Sequence, residues 1–240
     1  MFSPSFTGII IIILNLFYSF QLFLQDLYHI EKNQLFSNIG LYQYLIEAYK
    51  KGEVSFANVK SFNLDEYCDL PREHPESYYS FMHTNLFNHI DIKEENVHLP
   101  SSLGGDLEKN CKDYSDALNA ATVDMQLLGI GANGHIGFNE PADHFSLETN
   151  CVDLQESTIN ANKRFFASYD DVPKQAYTMG IKTIMQAKKV LVVVSGADKA
   201  EIVKKAFFGP VTPQVPASIL QLHSDVVIVA DEAALSLVEL

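Results

Sequence analysis

Positive charge is scarce in this 240-residue chain. Its 17 lysines and arginines stand against 30 aspartates and glutamates, for a formal net charge of −13. No long basic patch appears, so nucleic acid is not an expected partner. Cysteine is scarce too. Cys68, Cys111 and Cys151 are odd in number and lack CxxC spacing. That points to reduced thiols and a cytoplasmic setting rather than a disulfide framework. The histidines include no HExxH pair, and His83 and His89 are not at helical i,i+4 spacing. No structural metal site is expected. Repeats and low-complexity linkers are also missing. What is present is a globular composition, 47% hydrophobic, with a length that suits one large domain or two small ones.

Apolar runs and helical patterns alternate along the chain. Residues 41–51 read as an amphipathic helix, with Leu41, Leu45 and Ala48 on one side and Gly52 as its stop. Residues 59–64 read as a strand and 77–89 as a helix. Leu107, Cys111, Tyr114 and Leu118 fall at helical spacing. Strands follow at 125–130 and 190–195, a helix at 198–207 and a last strand at 226–230. This order predicts an α/β fold: an open, mainly parallel, doubly wound sheet with flanking helices. The polar stretch 145–162 reads as a lid or an antiparallel excursion. Asp65, the Asn133–His135 turn and Lys199 each follow a predicted strand. Ligands of open α/β sheets bind at the C-terminal edge of the strands, so the active site is expected there. Lys199 is expected in the first turn of its helix, where backbone amides favour an anion.

Two stretches carry the chemistry. The first is LLGIGANGHIGFNEP at 127–141. An apolar strand breaks into Gly129, Gly131 and Gly134, which permit tight turns and close approach to a ligand. Asn133, His135, Asn139 and Glu140 follow at once. A histidine suits proton transfer at neutral pH, and Glu140 is near enough in sequence to orient it. A lone histidine in a turn would be a surface residue; this cluster, directly after an apolar strand, reads as an active site. The second stretch is SFNLDEYCDLPREHPESYYSF at 61–81. Asp65 ends an apolar segment and is a candidate general base, because poor solvation raises proton affinity. An N-cap or a solvated loop acid is the plainer alternative.

Together these stretches resemble the glucosamine-6-phosphate deaminase family. The resemblance rests on FNLDEY at 62–67, EHPESYYSFM at 73–82, GANGHIGFNEP at 131–141, KRFF at 163–166 and PASILQLH at 216–223, and it spans residues 39–231. Sugar-phosphate lactonases share the fold and a related Gly-His turn. The continuation Phe138-Asn139-Glu140-Pro141 favours the deaminases. The resemblance implies conversion of glucosamine 6-phosphate and water to fructose 6-phosphate and ammonium, with no cofactor. It implies that His135 moves protons at the ring oxygen, tuned by Glu140 and assisted by Asn133, where other members carry Asp or Asn. Asp65 would take the C2 proton and return it at C1, with Glu66 in a supporting role at most. Arg164 and Lys199, with Lys163 close by, are the cations implied for the phosphate. The partner is a small molecule, and the chain is a monomer or a homo-oligomer.

Residues 1–38 do not fit this pattern, so the domain is set at 39–240. Residues 8–24, GIIIIILNLFYSFQLFL, carry no charge and nearly reach membrane-spanning length, yet lack a signal peptide's basic start. The family implies a first strand and a Gly-Ser-Thr-Pro phosphate loop before Gly40-Leu41-Tyr42. Here QLFSN at 34–38 stands in its place, and only Ser37 keeps a hydroxyl. Three readings are ordered: a reading-frame discontinuity near Asn38, a buried strand and helix, and a membrane anchor. Two other functions follow from the same residues: a lactonase on this fold, and a sugar-phosphate-binding protein whose catalysis is impaired with its loop.

Overall fold

The structure is a computed structural model that describes residues 10–13, 38–101, 105–156, 159–160 and 163–239. Ser37 and most of the 8–24 segment therefore lie outside the described residues. Among the described residues, no helix is long and apolar enough to cross a membrane.

Among the described residues, nine strands form two sheets. The larger has the order β4-β2-β1-β5-β8-β9, from β1 (Ile10–Ile13), β2 (Lys60–Asn63), β4 (Val97–His98), β5 (Met125–Leu128), β8 (Lys189–Val194) and β9 (Val226–Ala230). β2 runs parallel to β4, and β5, β8 and β9 run parallel to one another. The expected open α/β sheet is therefore present. One strand departs from it: β1 is antiparallel to both β2 and β5.

The second sheet has the order β3-β7-β6, from β3 (Asp65–Tyr67), β6 (Asn150–Asp153) and β7 (Gln175–Thr178), and is antiparallel throughout. β6 is the antiparallel excursion expected within 145–162. β7 has no counterpart in the sequence reading.

The α-helices with described bounds are α1 (Asn38–Lys50), α2 (Tyr78–Asn85), α3 (Leu107–Asn119), α4 (Ile181–Met185) and α5 (Ala200–Phe208). Local chemistry sets their starts. The Ser77 hydroxyl accepts from the Ser80 N–H at 3.0 Å, and Asp106 accepts from the Glu108 and Lys109 N–H groups, ordinary N-caps. The helix expected over 77–89 breaks at Leu86, whose φ of −143° is not helical, and resumes as a 3-10 turn at Phe87–His89.

β5 is buried throughout and β8 at all but its first residue, which explains why both are largely apolar, with Gln126 the buried polar exception. Each fully buried side chain of this kind contributes roughly 1.5–3 kcal/mol. One core cluster joins Tyr42 of α1, Phe62, Leu64, Leu128, Ile136 and Val192. A second, around Tyr67, Tyr78, Phe138 and Ala176, fills the space beside the small sheet.

Candidate active site

The turn after β5 is closed by its own backbone. The Gly131 N–H donates to the His135 carbonyl and the Gly134 N–H to the Gly131 carbonyl, both at 2.9 Å. Gly131 is needed for space: a Cβ there would lie 2.3 Å from Cε1 and Nε2 of the His135 imidazole. Gly137 is needed for conformation, with φ +60°. The Asn139 side-chain amide donates to the carbonyls of Ile136 at 2.9 Å and Met179 at 2.8 Å, tying the turn to the end of β7.

Three of the expected site residues meet here. His135 Nδ1 stands 3.0 Å from Glu140 Oε1, an ion-pair separation without hydrogen-bond alignment. Asn133 Nδ2 donates to Glu140 Oε2 at 2.5 Å, and Asn133 Oδ1 accepts from the His135 N–H at 3.2 Å. Burial pushes the Glu140 carboxyl up, but the contacts with His135 and Asn133 outweigh it and hold the group below its ordinary range. The imidazole Nε2 has no hydrogen-bond partner among the described residues. A carboxylate thus backs one ring nitrogen and leaves the other available.

Asp65 was expected at the end of the strand read over 59–64. It is instead the first residue of β3, because the chain passes from the large sheet to the small one at Leu64. Register places Asp65 opposite Thr178, whose hydroxyl accepts from the Phe138 N–H at 3.0 Å. The Leu64 carbonyl accepts from the Met179 N–H at 2.8 Å, and the Leu64 side chain abuts Gly137. The small sheet thus fastens the Asp65 segment to the histidine turn. Asp65 is fully buried, and neither carboxylate oxygen has a hydrogen-bond partner among the described residues. Burial first, and then the neighbouring Glu66 charge, drive its proton affinity well above the ordinary aspartate value.

Glu66 points away, as expected, but does more than stand by. Its carboxylate accepts the main-chain N–H groups of Tyr67 at 2.8 Å, Tyr78 at 3.1 Å and Tyr79 at 3.0 Å, anchoring the start of α2. Burial lifts its carboxyl to about 7 against the pull of those bonds and of Arg72.

The two cations are placed less directly. Arg164 is exposed on a 3-10 turn, Lys163–Phe165; the following Phe166 stacks on His74 at 5.3 Å and packs on the cluster holding Phe138. Lys199 was expected inside the first helical turn. It is the N-cap of α5, and its own N–H is spent on the Gly196 carbonyl at 3.0 Å. The Gly196 N–H also has a carboxylate already, Asp231, at 3.0 and 3.1 Å. Lys199 therefore offers a side chain rather than a free amide. Its helix reaches the site through Ile202, which lies against Gly134, and the Ala217 N–H donates to the Gly134 carbonyl at 2.8 Å.

A cleft lined by Phe138, Asn139, Glu140, His144, Phe145 and Ile181 opens beside the FNEP segment. Sequence reasoning missed Thr178 and Met179, which join the two motifs. No local signal marks them, since their role comes from cross-strand register.

Residues 37–229 match the family described as glucosamine-6-phosphate isomerases/6-phosphogluconolactonase. Glucosamine-6-phosphate deaminase of Thermoanaerobacter sp. (strain X514) is 52% identical over 201 residues, 83% of this chain and 79% of that protein. The deaminase of Lachnoclostridium phytofermentans is 56% identical over 193 residues, 80% of this chain and 81% of that one. Among solved structures, a monomeric glucosamine-6-phosphate deaminase matches with a TM-score of 0.79 and 44% identity, covering 83% of each chain. A 6-phosphogluconolactonase from Trypanosoma cruzi covers 92% of this chain and 91% of its own at a TM-score of 0.65, but at 17% identity it shares the fold alone. Identity above one half over four-fifths of the length is of a different order, and the chain belongs to the glucosamine-6-phosphate isomerase/6-phosphogluconolactonase family, standing within it among the glucosamine-6-phosphate deaminases.

Proposed function

We propose that this chain converts glucosamine 6-phosphate and water to fructose 6-phosphate and ammonium, in a cytoplasmic setting that suits its three free thiols, through a domain spanning residues 39–240. The observation that carries the reading is the pairing of a buried carboxylate, Asp65, which has no hydrogen-bond partner among the described residues, with an imidazole backed by Glu140 and fastened to the same turn. Aldose–ketose chemistry needs those two groups. The sugar ring opens first, and His135 carries the proton between the anomeric hydroxyl and the ring oxygen. Glu140 and Asn133 hold the imidazole for that step. Asp65 then removes the C2 proton and returns it at C1. Positioned acid–base groups contribute ~10²–10⁴-fold each. Arg164 and Lys199 hold the phosphate, with Ser37 as the third contact.

A lactonase would use the same fold and histidine turn but would release no ammonium. A coupled assay on the full chain decides between them. Equal amounts of fructose 6-phosphate and ammonium from glucosamine 6-phosphate are expected. Hydrolysis of a sugar-phosphate lactone without ammonium release would reject the deaminase. Weak or absent turnover with retained sugar-phosphate binding would mean that Leu35 and Phe36, standing where small residues are expected, leave the phosphate short of the N–H donors that position the reacting carbons.

A further inference from the structure

Strand register decides which side chain faces Asp65. The Cys68 N–H donates to the Gln175 carbonyl at 3.0 Å, and the Met179 N–H to the Leu64 carbonyl at 2.8 Å. Cys68 with Gln175 and Leu64 with Met179 are therefore hydrogen-bonded pairs of the β3–β7 ladder. Asp65 with Thr178, one step in from the latter, is a non-hydrogen-bonded pair. Such pairs bring their Cα atoms to about 4.5 Å and hold both side chains close together on one face of the sheet. Asp65 is 1% exposed and Thr178 0%, so the pair is enclosed.

The Thr178 hydroxyl is only half used. It accepts from the Phe138 N–H at 3.0 Å, and a Cβ on Gly137 would lie 2.9 Å from its oxygen. The oxygen is thus pressed against the histidine turn. Among the described residues it makes no bond as a donor, and a buried hydroxyl rarely leaves its proton idle. Asp65, across the ladder, has two acceptor oxygens without a partner. On the other side of β7, Thr178 faces Asn150, whose amide donates to the Glu148 carbonyl at 3.0 Å. A neutral amide oxygen competes poorly with a carboxylate for the same proton.

No other hydroxyl is as well placed. Those of Tyr42, Ser61, Thr149 and Thr183 also lack partners, but none stands opposite Asp65 in a strand pair. Tyr114 of α3 donates to the Asn63 carbonyl at 2.6 Å. Tyr67 of β3 and Tyr78 of α2 hydrogen-bond to each other. Glu66 is an acid, spent on three main-chain N–H groups.

We propose that Thr178 is a positioning residue for the reaction: its hydroxyl accepts from the Phe138 N–H and, after a turn of the Asp65 side chain, donates to the ionised Asp65 carboxylate, so that one oxygen ties the carbon base to the histidine turn. The inference rests on Asp65 being the carbon base of the proposed deaminase. A donor to the charged form favours ionisation, so removing it leaves Asp65 protonated to higher pH. The same bond fixes the carboxylate relative to the imidazole, and small misplacements of reacting groups are costly.

The test is the pH profile of kcat/KM for Thr178→Val, which keeps the branched shape without the hydroxyl, beside Thr178→Ser, which keeps the hydroxyl. In the Val variant the acid limb should move upward by roughly one pH unit. Its plateau kcat should fall by about 10–10²-fold, with KM little changed. The Ser variant should keep the limb in place and most of kcat. Thr178→Ala is the second hydroxyl-free variant should Val fold poorly. An unmoved limb in a hydroxyl-free variant would overturn the proposal, as would a Ser variant that behaves like Val. A carbon-13 titration of Asp65, assigned with Asp65→Asn, reads the same shift without turnover. A chain that releases no ammonium would therefore reject the deaminase, while the titration still decides whether Thr178 serves Asp65.

Discussion

Asp65 and Glu140 are carboxylates attached to the same turn, in contrary surroundings. Asp65 sits buried at the junction of two sheets, without a hydrogen-bond donor among the described residues, and burial drives its proton affinity up. Glu140 is also partly buried, but His135 and Asn133 face it at 3.0 and 2.5 Å, and its proton affinity falls. The lesson is that role follows environment rather than residue type. A carboxylate with raised affinity can pull a proton from carbon; one with lowered affinity stays charged and steers an imidazole.

The sharpest way to break the comparison is Asp65→Asn. Ammonium release should fall by ~10³–10⁴-fold, while the thermal midpoint holds or rises, because a neutral amide replaces a poorly housed charge. A midpoint that collapses together with activity would show that Asp65 is structural. His135→Gln and Glu140→Gln come next, each with a loss on the order of 10²–10³-fold on the cyclic substrate. A ring-opened analogue should lose less from either change, whereas Asp65→Asn should depress both substrates alike. Equal losses throughout would dissolve the division of labour.

Gly131→Ala tests the geometry rather than the chemistry. Its Cβ would stand 2.3 Å from the imidazole, so the ring must swing off Glu140. A fall of about 10²-fold in kcat/KM is expected with the fold retained by circular dichroism, since small misplacements have costs of that size. The smallest effect is in stability against pH, and here the two carboxylates have opposite signs. Glu140 is depressed from its ordinary value near 4.5, so its contribution is present above that pH and is lost as pH falls through the folded value. Asp65 is raised from 3.8, so the folded state gains from its protonation below that pH and loses this as pH rises through the folded value. Denaturant midpoints across pH 3–8 should slope less on the acid side in Glu140→Gln, and should fall less with rising pH in Asp65→Asn.

Much of the large sheet was legible because β5 and β8 are buried on both faces and β9, though less buried, is wholly apolar. Met125–Leu128, Lys189–Val194 and Val226–Ala230 fall within a residue or two of their expected places. The small sheet was not legible in the same way. Gln175–Thr178 mixes polar and apolar residues, and what makes it a strand is pairing with segments far off in sequence. The direction of Ile10–Ile13 was unreadable for a similar reason, since four isoleucines suit either orientation. Within the site, the Asn133–His135–Glu140 cluster was visible because its members are close in sequence and their types imply their bonds. Asp65 was visible as a candidate, but its place in a strand was not. Lys199 shows the limit of the helix argument: it caps its helix rather than lying in the first turn, and its amide is already taken by the Gly196 carbonyl.

The antiparallel small sheet also has a consequence for the order in which the molecule is made. Asp65 gains its cross-strand neighbour only when Thr178 exists, and the whole of the histidine turn is synthesised between them. A chain emerging from the ribosome can form α2, α3 and much of β5 while the site is still unassembled. Contacts of such long sequence separation form slowly, because loop-closure entropy is lost before they reward it. A nascent chain halted before Gln175 should therefore hold its helices and yet leave the Asp65 segment accessible to protease, and closure of the site should be among the last events of folding.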